Sequence, residues 1–383
     1  MFFLGLAIAA LSFALYIQLG TQSNFVGDEM GLSPGQQGVL ESWRESCGIF
    51  SLALLALLAG LAEPLVGSVM LVLFAAGLAS YAFVDSYFWL VVASMVWSQG
   101  LHVWMPLPNS MALGLAEEGK AGHRLGQLRA AGAIGSGAGL VGALVLYSRG
   151  VAIRPLFLVA GVAGIVAAVA ILGVPRNLKT PGPRLVIRRR YWLYYLLSFL
   201  EGWRKQIFVA FAGFLLVYEY GVELDVMLKL WIGIQAISFL AAPPVGRLID
   251  RVGERKVLVF YFACLTLFFV GYAFVGNIYI LYVLYVVDSA FFVFAVALTT
   301  YVSRIAPPSE HTPTLSMGVT MNHVAAVAMP LVGALLWKYL GHTWVFLAGA
   351  LAAAVSVGVS LLLPRGPGAA ERERAAVIRR ERE

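Results

Sequence analysis

The sequence predicts an all-α polytopic membrane protein, with twelve transmembrane helices in two six-helix bundles. Three observations carry this: composition, the spacing of apolar runs and the placement of basic residues. Hydrophobic residues fill 60% of 383 positions and charged residues only 12%, about half the charge of a soluble domain. The apolar runs recur at lengths near the roughly 20 residues needed to cross a bilayer. The basic residues gather in alternate connections.

The first run covers 1–24. Met1 to Gly20 lacks a basic n-region and no small-residue cleavage site follows it, so it reads as a first membrane helix that stays in place. Further spans are expected at 37–61, 67–85, 87–115, 126–148 and 152–174, then at 191–218, 226–246, 255–275, 278–304, 312–338 and 342–364. Between the sixth and seventh, residues 175–190 hold Pro175, Pro181, Pro183 and the run Arg188-Arg189-Arg190. This reads as a cytoplasmic linker between an N-terminal bundle (1–174) and a C-terminal bundle (191–364). A charged tail, 365–383, rich in Arg and Glu, follows.

With both termini placed inside, the inner connections and tail hold 20 of the 27 Lys and Arg. The outer segments hold Arg149, Arg154, Lys229 and Lys338, and three more, Arg44, Arg204 and Lys205, lie within spans. This asymmetry predicts cytoplasmic N and C termini in the plasma membrane. It also accounts for the net charge of +7, so no nucleic-acid partner is implied. Cys47 and Cys264 lie in apolar runs and read as small core residues. No disulfide framework, cofactor motif or metal-ligand set follows from the spacing, and no Walker loop is present.

Gly60 and Gly67 after span 2, and Gly246 and Gly253 after span 8, are each seven residues apart and are offset by 186. That is close to half the chain, as in two-bundle transporters built from repeats. The second pair brackets Gly246-Arg247-Leu248-Ile249-Asp250-Arg251-Val252-Gly253-Glu254-Arg255-Lys256. This segment resembles the loop motif G-x-L-x-D-R-x-G-R-K of the major facilitator superfamily. Gly246, Leu248, Asp250, Arg251 and Gly253 match, and Arg255-Lys256 supply the basic end. The resemblance implies a gating loop in which Asp250 accepts bonds at a helix N-terminus and Arg251, Arg255 and Lys256 pair with acids of a neighbouring helix. The family places the motif in both halves; the first copy here, Gly60-Leu61-Ala62-Glu63-Pro64-Leu65-Val66-Gly67, has no basic residue.

In span 5, Gly126, Gly135 and Gly139 reproduce the first glycines of the family's antiporter motif, with Leu140 where the proline would stand. Gly132, Gly135, Gly137, Gly139 and Gly142 form a packing face for a neighbouring helix. The segments Tyr195 to Phe208 and Thr320-Met321-Asn322-His323 look like a prokaryotic branch of the superfamily, which implies no particular substrate. A monomer is what the family resemblance implies.

Charges at membrane depth rarely persist without a task. Glu41, Arg44 and Glu45 in span 2, and Glu201, Arg204 and Lys205 in span 7, stand at i, i+3 and i+4 spacing on one face of each helix. Asp288 lies in span 10, and the 186-residue offset leads back from it to His102 in span 4; His323 lies beside Asn322 in span 11. Arg44, Arg204 and Lys205, with Trp203 and Asn322, are candidate ligands of an anionic or zwitterionic solute. Glu41, Glu45, Glu201, Asp288, His102 and His323 are candidates for proton coupling. The alternative is that acids and bases neutralise each other within their own helices.

The expected activity is therefore alternating-access transport of a small polar solute with a proton as coupling partner and no cofactor. A drug/proton antiporter is the runner-up, and three basic residues inside the membrane weigh against it. A non-transporting receptor and a membrane enzyme are further alternatives. The enzyme would need an acid pair or His-rich box at one interface, and neither stands in the sequence.

Overall fold

A computed structural model describes residues 1–117, 120–180 and 187–366. It is helical throughout these residues apart from turns and one isolated β-bridge. The helices are α1 (Phe2–Asn24), α2 (Pro34–Leu57), α3 (Glu63–Ser80), α4 (Tyr87–Trp104), α5 (Leu107–Gly114), α6 (Ala121–Ser148) and α7 (Ile153–Ile171). They continue with α8 (Trp192–Ile207), α9 (Gly213–Tyr218), α10 (Leu224–Val252), α11 (Glu254–Phe274), α12 (Ile278–Phe291), α13 (Val296–Ile305), α14 (Pro308–Leu340) and α15 (His342–Ser360).

Among the described residues, ten helical segments are long and apolar enough to cross a membrane. The two expected spans missing from that set are α2 and α8–α9, which hold the charged clusters. Their length suffices, but three charged side chains in each lower the hydropathy. Of the expected linker, residues 181–186 lie outside the described residues, as does nearly all of the expected tail, 367–383.

Local chemistry sets the helix ends. Ser33 and Gln36 form a capping box at α2, with Pro34 in the first turn, where its missing N–H costs nothing. Asn277 Oδ1 accepts from the N–H groups of Tyr279 and Ile280 at 3.0 and 3.3 Å to start α12. Pro106 and Pro108 break span 4 between α4 and α5, since proline cannot bond back along the helix. Span 10 breaks at the corresponding place, through a 3₁₀ turn at Phe292–Ala295. Spans 1 and 7 each carry a π turn, at Phe25–Glu29 and Phe208–Ala212. Such turns open the backbone ladder and recur at functional sites.

The chain divides into two compact units. One comprises Met1–Pro183 with Val217–Gln235, the other Arg184–Leu216 with Ala236–Glu383. In the first, Phe25 stacks on Tyr81 and meets Phe157 edge-on, with ring centroids 5.3 and 4.8 Å apart. Gly60 N donates to Thr180 O, Thr180 N to Leu61 O and Glu63 N to Leu178 O, at 2.8–3.0 Å. The first motif copy is thus held by backbone pairing to residues 178–180, which needs no basic side chain. In the second unit, Tyr194, Leu197, Tyr261, Phe262, Leu265 and Val302 form a buried aromatic and aliphatic core.

Candidate functional site

The second unit buries a cluster around Arg204. Its guanidinium spans Glu201 on the same helix, Nη2 to Oε1 at 2.6 Å and Nε to Oε2 at 3.3 Å. The i, i+3 spacing places both side chains on one face of α8, so this fork is a consequence of sequence. Nη2 also donates to Tyr261 Oη at 3.0 Å, and Tyr261 donates to Glu201 Oε1 at 2.9 Å. Nη1 reaches Asp288 Oδ1 at 3.4 Å, and the guanidinium lies 4.3 Å from the Phe292 ring centre. Arg204 and Asp288 are 0% exposed and Glu201 4%.

One cation therefore faces two carboxylates. Glu201 is fully engaged, whereas Asp288 Oδ2 is buried with no hydrogen-bond partner among the described residues. With every group ionised the cluster carries one excess negative charge, which is costly where water is excluded.

Lys205 points away from this cluster. Its Nζ donates to Asn322 Oδ1 at 2.8 Å, and Asn322 Nδ2 donates to Ser198 O at 3.4 Å. A Cβ on Gly202 would stand 2.6 Å from Asn322 O, so glycine lets α14 approach closely enough for Asn322 to meet Lys205. Among the described residues no carboxylate lies within ion-pair distance of Lys205, a half-buried amine. Trp203 is half-buried and meets Phe199 edge-on; its Nε1 is buried without a hydrogen-bond partner. His323, half-buried, follows Asn322 on α14.

The first unit repeats the two-acid, one-base composition in α2. Arg44 Nη1 donates to Glu41 Oε1 at 2.9 Å, Nη2 pairs with Glu41 Oε2, and Nη2 also lies 3.5 Å from Glu45 Oε1. Gln37 Nε2 donates to Glu41 Oε1 at 3.3 Å. Ser98 Oγ donates to Arg44 O at 2.7 Å, and His102 Nδ1 lies 2.8 Å from Ser98 O. A carbonyl only accepts, so the ring proton sits on Nδ1. Trp97 lies under the Arg44 guanidinium at 5.6 Å. His102 thus joins the Arg44 cluster through α4.

The motif segment departs from its sequence reading. Residues 247–254 are expected between two spans, yet α10 continues to Val252, because nothing from Gly246 to Val252 breaks a helix. Gly246, Asp250 and Arg251 lie on its last turns, and a Cβ at Gly246 would meet nothing within 4 Å. Gly253 alone makes the turn, at φ +84°, a conformation glycine adopts without strain. Arg255 and Lys256 begin α11. Among the described residues the motif's acids, rather than its bases, make the ion pairs: Arg304 Nη2 lies 3.3 Å from Asp250 and Arg304 Nε 2.6 Å from Glu254. Asp250 sits at a helix C-terminus, so it needs a cation from outside. Arg255 Nη1 donates to Leu363 O at 3.3 Å.

A further cluster joins the end of the linker to α14. Arg190 Nη2 and Tyr191 Oη donate to Glu310 Oε2 at 2.6 and 2.7 Å, and Arg188 Nε lies 3.5 Å from Oε1. Burial pushes the Glu310 carboxyl up, but the hydrogen bonds of Arg190 and Tyr191 and the charges of Arg190 and Arg188 outweigh it and hold the group below its ordinary range. A carboxylate with a lowered folded pKa contributes stability that is complete above its unfolded pKa and is lost as pH falls through the folded one. Replacing Glu310 by Gln is expected to cost about 1 kcal/mol at pH 7, as for charge-assisted bonds partly open to water. In thermal melts the gap to wild type should hold at every pH above the ordinary glutamate range and close only as pH falls below it. A gap that closes at pH 6 contradicts this assignment.

Tyr261, Gln37, Ser98, Trp97 and Glu310 are absent from the sequence reading. Gln37 stands four residues before Glu41, so helical spacing alone could have found it. Tyr261 lies 57 residues from Arg204, and no local pattern joins them.

The family model of the Major Facilitator Superfamily matches residues 194–380. No curated protein matches in sequence. Among solved structures, nucleoside transporter NupG superposes with a TM-score of 0.72 at 16% identity, covering 94% of this chain and 98% of its own. A bacterial homolog of the human lysosomal transporter Spinster, inward-facing and unoccupied, superposes with a TM-score of 0.72 at 12% identity, covering 98% of this chain and 97% of its own. At these identities the likeness is one of fold. The family match covers the C-terminal half, where the motif segment also lies, and the fold is shared over nearly the whole length: this chain has the fold of the major facilitator superfamily, with that family's sequence signature in residues 194–380.

Proposed function

We propose that this protein moves a small anionic or zwitterionic solute by alternating access, coupled to protons through Asp288. The reading takes α2 and α8–α9 as membrane spans alongside the ten apolar segments. It places both termini in the cytoplasm of a cell whose plasma membrane holds the protein as a monomer, with the bundles at 1–174 and 191–364.

The carrying observation is the buried excess acid: Glu201 is consumed by Arg204 and Tyr261, while Asp288 keeps one oxygen unpartnered. One proton on Asp288 makes the cluster neutral, and its departure restores a negative charge facing Arg204. Lys205, with Asn322 and Trp203, is the substrate-binding group, because among the described residues no acid answers its positive charge. Arg44 and Arg204, each forked onto an acid of its own helix, hold their clusters in shape. Glu41, Glu45 and His102 form the corresponding titratable group of the first unit. Asp250, Glu254 and Arg304, at the turn made by Gly253, gate the cytoplasmic side.

Reconstituted vesicles containing a pH dye test this. Carboxylates, amino acids and phosphates are added outside in turn, and the solute that moves protons is followed in Asp288→Asn. The expected result is solute-driven proton flux in wild type and at least tenfold less in the variant, with solute binding retained. Solute flux that ignores the pH gradient in wild type would leave a uniporter and remove Asp288 from the mechanism.

A further inference from the structure

The core-facing side of α1 changes character along its length. Up to Ala14 it buries Leu4, Ala7, Leu11 and Ala14; beyond it, beside Ile17 and Gly20, it buries Gln18, Thr21, Gln22 and Asn24. Thr21 is satisfied, its Oγ1 donating to Ile17 O at 2.8 Å. The two glutamines bond each other, Gln18 Nε2 donating to Gln22 Oε1 at 2.8 Å. Gln18 is 0% and Gln22 7% exposed. Yet Gln18 Oε1 and Gln22 Nε2 are buried without a partner among the described residues.

One acceptor and one donor thus stay open, one helical turn apart on one face. The count is the same in both hydrogen-bonded orientations of the amide pair. Turning both amides over makes Gln22 the donor to Gln18, and again leaves one donor and one acceptor. Buried polar groups left unmade are costly and uncommon, so a pair of them asks for a ligand.

We propose that Gln18 and Gln22 bind a hydroxyl of a polyhydroxylated solute, such as a sugar acid or polyol. A solute hydroxyl answers both open atoms at once, its proton going to one amide oxygen and its lone pair accepting from the other amide's N–H, in place of the water that would otherwise fill the position. A bare carboxylate answers only the donor, and a hydrocarbon neither. The second unit holds a related group: Gln206 on α8 is 1% exposed with both amide ends unpartnered. It stands two residues before the π turn at Phe208, as Gln22 stands three before the π turn at Phe25. The assignment deepens the transport reading above and rests on it for the meaning of binding.

Calorimetric titration of the full chain in detergent tests it. The probes are D-gluconate, xylitol and hexanoate, the last a carboxylate of the same carbon number as gluconate without hydroxyls. Gln18→Leu/Gln22→Leu should weaken gluconate and xylitol by about 10- to 100-fold, as for two lost hydrogen bonds, and leave hexanoate unchanged. Its melting temperature without solute should not fall, because apolar side chains replace two open polar groups. Gln22→Met, which removes the Gln22 amide alone, should show part of the same loss. Equal gluconate affinity in wild type and the double variant overturns the proposal, as does a wild type that binds neither gluconate nor xylitol. Lys205→Met separates the two readings. If it leaves gluconate and hexanoate unchanged, the anion assignment of Lys205 falls while the hydroxyl site stands.

Discussion

Arg204→Met is expected to destabilise the protein by about 3–5 kcal/mol, the cost of removing one partner from a buried charge group. The side chain is wholly buried and holds Glu201 through two contacts, Tyr261 through a third and Asp288 through a fourth. Without it two carboxylates face each other with no cation. Arg204→Lys should recover little, because a single ammonium cannot reproduce the fork onto Glu201 or lie flat over Phe292. Glu201→Gln/Arg204→Met should recover more than either alone, since it removes one acid along with the base. Melting in detergent, followed by tryptophan fluorescence, measures all three. An Arg204→Met protein within 0.5 kcal/mol of wild type would mean that the cluster contributes nothing to stability.

The pairing at the heart of this prediction was legible in the sequence, and its surroundings were not. Glu201 and Arg204 stand at i, i+3, a spacing whose geometry any helix supplies. The alternative weighed from the sequence, neutralisation within a helix, describes Arg44 with Glu41 and Arg204 with Glu201. It does not describe Lys205, which turns to a neighbouring helix and finds an amide there. Asp288 is 84 residues from Arg204, so their meeting depends on how α8 and α12 pack. No periodicity within either helix records that.

The internal repeat shows the same division. An offset of 186 places His102 against Asp288, and both lie shortly before a break in their span, at Pro106 and at Phe292. The same offset pairs Gly60 with Gly246, yet the turns fall at Gly60 and Gly253. Helix α10 simply runs on past Gly246, because leucine, isoleucine and arginine there sustain it. Motif spacing located the turn to within a few residues. Which glycine turns is decided by the backbone, and Glu254 and Arg304 hold the result.

Gly135→Leu is expected to cost at least 3 kcal/mol and to separate α6 from α1, whereas Gly126→Leu should leave stability within 0.5 kcal/mol of wild type. A Cβ at Gly135 would stand 2.1 Å from Ala9 O, and one at Gly139 2.3 Å from Phe13 O; at Gly126 it would meet nothing within 4 Å. The carbonyls are backbone and cannot swing aside, so the helices must move apart or the chain must fail to assemble. In lipid the loss is compounded, because helix association there rests on close van der Waals contact rather than on expulsion of water. An overpacking cost of 1–3 kcal/mol applies where side chains yield, and the two rigid backbones take it to the upper end or beyond. Gly139→Leu should behave like Gly135→Leu. Melting temperatures of the three variants in one detergent decide the matter. Among these three, close backbone packing predicts loss at 135 and 139 alone. Equal loss at 126 would assign the series to a role shared along the whole glycine spacing, as an antiporter motif requires, and would displace packing as the reason for it.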